Sequence, residues 1–157
     1  MVQKLDAGNL KIEVIKEVSV DILLSIAKLS AVVFGEKSWG YTKLNDAEFL
    51  KLYDPDKINE HIYKPFLLYH HDVLVGYCRT MREGVTLVCK TICVAPEFQG
   101  IGLGNALALS IHEEARNDGL EKIMYVLIRD GNQVYNYPTE DVEMFRKYAV
   151  FEYKLTI

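Results

Sequence analysis

The most constraining feature of the sequence is a change of hydrophobic period at Val94, where a strand-like run gives way to a glycine-rich turn. Apolar residues then recur at helical spacing as far as Gly119, and the short apolar run KIMYVLI follows from Lys122 to Ile128. Two strands joined through a long helix favour a parallel crossover, because parallel neighbours need a connection of this length. The unit predicts a central strand–helix–strand crossover.

The flanking segments have the periods of strands and helices in alternation. LKIEVIK at Leu10 to Lys16 alternates like a half-buried strand, and Ser19 and Gly35 are placed to cap a helix between them. A shorter helix is predicted from Asp46 to Tyr53. Three β-rich runs before Val94 predict an antiparallel meander with turns at His71-Asp72 and Glu83-Gly84, while PTEDVEMFRKYA and FEYKLTI predict a last helix and a last strand. The fold class is mixed α/β (α+β), with a mostly antiparallel sheet.

Length and charge limit the classes of protein to which the chain can belong. Its 157 residues, 50% of them hydrophobic, predict one domain spanning 1–157. With 18 Lys and Arg against 22 Asp and Glu, the net charge of −4 favours neither nucleic acid nor an anionic membrane as partner. No segment has the apolar length of a membrane span or secretory signal, so we expect a cytoplasmic protein. The three cysteines lack metal-ligand spacing and are predicted to be reduced core thiols, with no metal site.

The turn from Val94 to Asn105 has the composition of an anion-binding loop. Its glycines remove the Cβ atoms that keep a ligand away from the backbone, and the helix that follows supplies unpaired N–H groups and a favourable dipole. A diphosphate fits such a site. Two familiar phosphate motifs are excluded, since Asn105 replaces the last small residue of a dinucleotide fingerprint and no Gly-Lys-Ser/Thr is present. A simple tight turn is the structural alternative.

The motif that remains is Gln-x-x-Gly-x-Gly, formed by Gln99, Gly102 and Gly104 after a strand that ends in Val-x-Pro. In this motif, and in the hairpin PFLLYHHDVLVGYCRTM with its small residue Gly76, the sequence resembles the GNAT superfamily of acetyl-CoA-dependent N-acyltransferases. The signature of that family is Arg/Gln-x-x-Gly-x-Gly/Ala. The resemblance extends over most of the chain and implies that the fourth and fifth strands of the sheet splay apart.

The resemblance also implies a set of coenzyme contacts. Acetyl-CoA is the expected co-substrate, with its diphosphate held by backbone N–H groups and its pantetheine arm between the splayed strands. The backbone N–H of Val94 is expected to polarise the thioester carbonyl, and an asparagine after the fifth strand to touch the arm. The residues implied are Ile92, Cys93 and Val94 on the strand, Gln99, Gly100, Ile101, Gly102, Leu103 and Gly104 in the loop, and Asn132 or Asn136.

The residues that handle protons and bind the acceptor are less determined. The family's usual strand-four glutamate is absent from TLVCKTICV, so ordered water is the expected route for deprotonating the amine. The register of the family's tyrosine acid holds Arg146, and Tyr148 lies half a turn away; either is a candidate for stabilising the leaving thiolate. Glu36, Trp39 and Tyr41 in the loop after the first helix suit a cationic amine, although aromatic residues also anchor loops.

These observations predict an N-acetyltransferase that moves an acetyl group from acetyl-CoA to a primary amine by direct attack. The alternative is a coenzyme-binding sensor or interaction module that retains the fold with weak or no turnover, which Arg146 at the tyrosine position favours. The family usually continues through a further strand beyond Phe151, so an exposed sheet edge there predicts a possible homodimer.

Overall fold

The computed structural model describes residues 9–35, 44–52, 56 and 64–126. Their elements form one sheet of five strands in the order β1-β2-β3-β4-β5, with three α-helices. In chain order they are β1 (Leu10–Val14), α1 (Val20–Phe34), α2 (Asp46–Leu52), β2 (Phe66–His70), β3 (Val73–Glu83), β4 (Thr86–Val94), a 3₁₀ turn (Pro96–Phe98), α3 (Leu103–Asn117) and β5 (Lys122–Tyr125).

The sheet is antiparallel from β1 to β4, and β5 joins β4 in parallel. The predicted meander is confirmed, with one tight turn at His71 and Asp72 and the other at Gly84 and Val85. His71 adopts φ 49°, a left-handed conformation that histidine tolerates better than β-branched residues do. The parallel crossover through α3 is confirmed as well, and with it the mixed α/β fold class.

The first helix begins and ends where its capping residues predict. The Ser19 hydroxyl accepts a hydrogen bond from the N–H of Ile22 at 3.3 Å, and the N–H of Gly35 donates to the Ala31 carbonyl at 3.1 Å. In α2, Asn45 and Glu48 exchange side-chain-to-backbone hydrogen bonds of 3.0 Å, a reciprocal capping box. Both helix N-termini are therefore closed by the chain's own side chains.

Helices α1 and α3 lie on opposite faces of the sheet. Ser30 of α1 shares a 2.8 Å hydrogen bond with the Tyr77 hydroxyl, so α1 covers the face to which Tyr77 points. Thr80, three residues further along β3, points to the other face, as does its partner Cys89, and α3 packs there. Burial raises the pKa of Tyr77 well above its ordinary value, so this hydroxyl is a neutral structural group.

The core lies between the sheet and these helices, with Leu107 and Ile111 of α3 fully buried against Phe66 and Leu87 of the strands. All three cysteines are free and buried, as predicted. Lys64, just before β2, pairs with Glu114 and, at 2.6 Å, with Asp118 near the end of α3, which ties that helix to the sheet. Within the described ranges, no helix has both the length and the apolar character needed to cross a membrane.

Candidate functional site

The glycine-rich loop joins the end of β4 to the start of α3. Gly100 and Gly102 have φ values of 79° and 90°, in the left-handed region that disfavours any residue with a Cβ. A Cβ built on Gly100, Gly102 or Gly104 meets no atom within 4 Å. These glycines therefore leave open space next to the backbone.

The N-terminus of α3 is open, unlike those of α1 and α2. No side chain of the described residues caps it, its first turn has no acidic residue, and the first helical hydrogen bond runs from the N–H of Ala106 to the carbonyl of Gly102 at 3.0 Å. Within residues 64–126 and the other described ranges, no acceptor pairs with the six backbone N–H groups before it, those of Gly100, Ile101, Gly102, Leu103, Gly104 and Asn105. The unpaired donors and the positive end of the helix dipole suit an anion.

Gln99 takes part in this arrangement in a way that the sequence did not predict. Its backbone N–H donates to the Pro96 carbonyl at 3.2 Å, so this N–H is not among the open donors. Its side-chain amide donates to the carbonyl of Val94 at 2.8 Å. Gln99 thereby ties the loop to the last residue of β4.

The outer edge of β4 is the second part of the site. Parallel pairing with β5 ends at Cys89 opposite Tyr125, and the N–H of Val126 donates to the Cys89 carbonyl at 3.2 Å. Among the described residues, none pairs with this edge from Lys90 to Val94. The open edge is what splayed fourth and fifth strands require. The rest of the predicted fifth strand, 127–128, lies outside the described residues.

A β-bulge marks the place where the edge opens. Arg79 lies opposite Thr91 but Thr80 lies opposite Cys89, so the half-buried Lys90 is an extra residue in β4. A bulge bends its strand and increases the local twist, which turns β4 away from a straight parallel partner. TLVCKTICV carries no pattern that distinguishes a bulged strand from a regular one.

The direction of each backbone group along this edge follows from the register with β3. The N–H of Ala95 donates to the Val75 carbonyl at 2.7 Å, and Val94 lies opposite Gly76. Because N–H groups alternate along an antiparallel strand, those of Val94 and Ile92 point away from β3, toward the open edge. The Val94 carbonyl faces the same side and is already bonded to Gln99.

Cys93, which lies between these two residues, is directed elsewhere. It lies opposite Tyr77, and its backbone groups face β3. Burial raises the pKa of its thiol to about 12, so the sulfur is protonated at neutral pH and poorly nucleophilic. Of the three strand residues implied by the resemblance, Ile92 and Val94 present groups to the open edge and Cys93 does not.

Two histidines occupy environments that the sequence did not define. His112 of α3 shares a 2.8 Å hydrogen bond with the hydroxyl of Tyr125, the last residue of β5. Burial, with the nearby charge of Arg116, lowers the pKa of His112, so its ring is neutral at pH 7. His70 at the β2–β3 turn packs its ring 5.1 Å from that of Phe98, beside the glycine loop. Neither contact joins residues close in sequence, so spacing alone gives no signal for them.

The other predicted groups are either exposed or not described. Glu83 and Glu97, the two turn carboxylates, are exposed. Within the described part of the chain, no cluster of three or more His, Cys, Asp or Glu could hold a metal ion. The acceptor-loop residues Glu36, Trp39 and Tyr41, the arm contacts Asn132 and Asn136, and the acid candidates Arg146 and Tyr148 all lie outside the described residues.

Comparison with known proteins places this geometry in a family. The family model described as "Acetyltransferase (GNAT) family" matches residues 32–135, about two thirds of the chain, including the glycine loop and the open edge of β4. The chain belongs to the GNAT family of acetyltransferases. A search of curated protein sequences gave no match.

Solved structures of other GNAT proteins share the fold at low sequence identity. The aminoglycoside acetyltransferase meta-AAC0020 from an uncultured soil metagenomic sample is similar with a TM-score of 0.67 and 16% identity, over 96% of this chain and 99% of that one. The PaiA N-acetyltransferase of Thermoplasma acidophilum, solved with coenzyme A, gives 0.59 and 13%, over 81% and 86%. The ribosomal-protein-S18-alanine N-acetyltransferase of Escherichia coli gives 0.59 and 16%, over 81% and 72%.

Proposed function

We propose that this GNAT protein is an N-acetyltransferase that takes acetyl-CoA as co-substrate and transfers the acetyl group directly to a primary amine. The observation that carries the proposal is a pair of neighbouring surfaces that no described residue pairs with: six N–H groups at the start of α3, and the edge of β4 that leads to them. The family match supports acetyl transfer in general. A coenzyme A complex among the structures of similar fold supports the choice of coenzyme.

The diphosphate of the coenzyme is proposed to bind at the loop. Backbone N–H groups of Gly100 to Asn105 donate to its oxygens, and the open space at the three glycines lets the oxygens come within hydrogen-bond distance of the backbone. Hydrogen bonds to a charged group each contribute about 1.5–3 kcal/mol. Two or three of them suffice for micromolar binding once the remaining contacts of the coenzyme are added.

The pantetheine arm is proposed to lie along the open edge of β4 as a short added strand. The N–H and the carbonyl of Ile92 face that edge and can pair with the amides of the arm. The N–H of Val94 is the proposed donor to the thioester carbonyl, which gains negative charge as the amine attacks. This contribution is a backbone one and needs no catalytic side chain on β4.

Deprotonation of the amine is proposed to go through ordered water. An amine with a pKa near 10.4 is almost fully protonated at pH 7, so one proton must leave before attack. Glu83 and Glu97, the two turn carboxylates near the site in sequence, are both exposed. Asn132, Asn136, Arg146 and Tyr148 remain proposed contacts of the arm and the sulfur.

The acceptor is proposed to be an amine that approaches from the loop carrying Glu36, Trp39 and Tyr41. Among proteins of similar fold, one is named for aminoglycosides and another for an alanine of ribosomal protein S18. The two acceptors differ in size and charge, so both classes belong in the test. A carboxylate and two aromatic rings favour the more cationic of them.

The test has two stages with the full-length chain. Calorimetric titration with acetyl-CoA measures binding, and release of the coenzyme thiol is then followed with aminoglycosides, polyamines, amino acids and alanine-terminated peptides. We expect micromolar binding and thiol release that depends on one acceptor class. Binding without release for every acceptor would favour the sensor module over the enzyme, and absence of binding would contradict both.

A further inference from the structure

Arg79 of β3 is a half-buried cation one strand, or about 5 Å, from the open edge of β4. It lies opposite Thr91, two residues along β3 from Tyr77, and therefore on the face of the sheet that α1 covers. Burial raises the pKa of Tyr77, and the positive charge of Arg79 partly opposes that rise, so the charge acts on this face. In the described part of the chain, no carboxylate forms an ion pair with Arg79 and no hydrogen-bond acceptor binds its guanidinium.

The neighbouring elements supply no counter-ion for this charge. The acidic residue of α1 is Asp21 in its first turn, nine residues or about 14 Å along the helix from Ser30, which contacts the sheet. The nearest carboxylate of β3 is the exposed Glu83, four residues or about 13 Å further along the strand. Lys90, the extra residue at the β4 bulge, is a second half-buried cation, and no described residue forms an ion pair with it. A partly desolvated cation is stabilised by an anion, so this region favours a negatively charged group of a ligand.

Arg79 lies within reach of an acceptor bound at the proposed site of transfer. The N–H of Val94 is the proposed donor to the thioester carbonyl, and Thr91 is three residues back along β4, or about 10 Å. The diphosphate loop begins at Gly100, on the other side of Val94 along the chain, so Arg79 is not placed to serve the diphosphate. The loop proposed to carry the acceptor follows α1, which covers the same face of the sheet as Arg79. An acceptor with its amine at the carbonyl can therefore extend its other end along this face toward Arg79.

The chemistry of the two ends of the acceptor follows from the groups that would face them. A guanidinium presents a planar fork of N–H donors that matches a carboxylate, and the half-buried hydroxyl of Thr91 can donate a further hydrogen bond. At the other end, Glu36, Trp39 and Tyr41 are the groups proposed for a cationic amine. An acceptor with positive charge alone would pair with that loop and leave Arg79 without an anion, whereas a zwitterion satisfies both ends.

We propose that Arg79, assisted by Thr91, binds a carboxylate of the acceptor, and that the acceptor is a small zwitterion whose primary amine and carboxylate are several bonds apart. A free basic amino acid and a short peptide both have this chemistry. Arg79 is then a specificity-determining residue that contacts the substrate away from the reacting atoms. Because it binds the acceptor equally in the ground state and the transition state, its removal raises KM more than it lowers kcat. The inference rests on the proposed function and narrows its acceptor class.

The test compares acceptors that differ only in the carboxylate, at saturating acetyl-CoA and with the full-length chain. Lysine is paired with lysinamide, and alanylalanine with its C-terminal amide, so that each pair keeps its amine and exchanges the carboxylate for a neutral group. In at least one pair we expect kcat/KM to be about 10- to 100-fold higher for the carboxylate, with the difference in KM. Equal values within both pairs would overturn the inference, as would wild-type protein that acetylates polyamines or aminoglycosides and neither carboxylate.

Variants assign the preference to Arg79. Arg79→Met removes the charge and should lower kcat/KM for the carboxylate about 10- to 100-fold, to the level of the amide, whereas Arg79→Lys keeps the charge and should retain part of the preference. Arg82, exposed on the opposite face of β3, gives the matched control, because Arg82→Met removes the same charge and should keep the preference.

The outcomes separate this inference from the proposed function. An equal fall of kcat/KM with carboxylate and amide in Arg79→Met would indicate a structural role and overturn the inference, as would equal effects of Arg79→Met and Arg82→Met. The comparison of acceptors with wild-type protein stands even if Arg79→Met does not fold. Wild-type protein that transfers no acetyl group to any acceptor would overturn the proposed function itself.

Discussion

Gly102 is the position at which the proposed diphosphate anchor can be tested most directly. Its φ of 90° lies in the left-handed region, where a residue with a Cβ costs about 1–2 kcal/mol more than glycine. Since a chain of 157 residues loses about 2–4 °C of Tm per kcal/mol, we expect Gly102→Ala to lower the Tm by about 2–8 °C. The protein remains folded, because nothing lies within 4 Å of the new Cβ.

The effect of Gly102→Ala on binding is separate from this strain. The new methyl group occupies the space proposed for the diphosphate and displaces it from one charged hydrogen bond, worth about 1.5–3 kcal/mol. We therefore expect the Kd for coenzyme A, measured by calorimetry, to rise about 10- to 100-fold. The bulkier Gly102→Val should weaken binding at least as much. Unchanged affinity in folded Gly102→Ala would refute the anchor.

Two other glycines supply matched controls. Gly119, at the opposite end of α3, has a φ of 68° and equal open space, so Gly119→Ala should cost similar stability and leave coenzyme affinity unchanged. Gly104 lies within the first turn of α3, where alanine favours the helix by about 0.5–1 kcal/mol and the family signature admits it. Gly104→Ala should raise the Tm slightly and retain binding. Equal loss of affinity in Gly119→Ala would show that strain, rather than the ligand space, governs the result.

The remaining predictions concern other contacts. Gln99→Leu leaves the Val94 carbonyl without its donor, so we expect a Tm lower by a few °C and coenzyme affinity reduced several-fold by calorimetry; full retention of both would contradict the tie between loop and strand. Burial and the nearby arginine charge lower the pKa of folded His112 below its ordinary value of 6.5. The contribution of the neutral ring to the free energy of unfolding is therefore fully present above pH 6.5 and decreases as the pH falls below that value. Thermal unfolding from about pH 7.5 to 5 should therefore show a shallower decline for His112→Gln, and parallel curves would contradict this. A hydrogen bond to a neighbouring thiol, together with burial, raises the pKa of Cys78, and burial raises that of Cys93. Both thiols should therefore be unreactive toward a disulfide reagent in native protein and should react in denaturant. Rapid labelling of native protein would contradict their burial.

The elements of the fold were predictable because their signals are local. Ser19 and Gly35 define both ends of α1, and the alternation of the strands defines the meander. The loop was predictable for the same reason, since its glycines are required by their own backbone angles. Local sequence thus determined the boundaries of the elements and the place of the glycine loop.

The side-chain contacts around the site were not predictable, because each joins elements distant in sequence. His112 meets Tyr125 only after α3 folds back onto the sheet, and Ser30 meets Tyr77 only after α1 packs across β3. The bulge at Lys90 depends on the register with β3 rather than on the composition of β4. Even the link from Gln99 to Val94, five residues apart, depends on how the 3₁₀ turn returns the side chain to the strand.

The bond from Gln99 to the Val94 carbonyl also limits how any extended chain can dock on β4. Because that oxygen already accepts a hydrogen bond, Val94 at the end of the edge offers its N–H as a donor but no unoccupied acceptor. An extended ligand must place an acceptor oxygen opposite the Val94 N–H. A shift in register would instead place an N–H of the ligand against the Val94 carbonyl, which is already bonded to Gln99. The side-chain amide of Gln99 therefore fixes the register in which an extended chain can pair with β4.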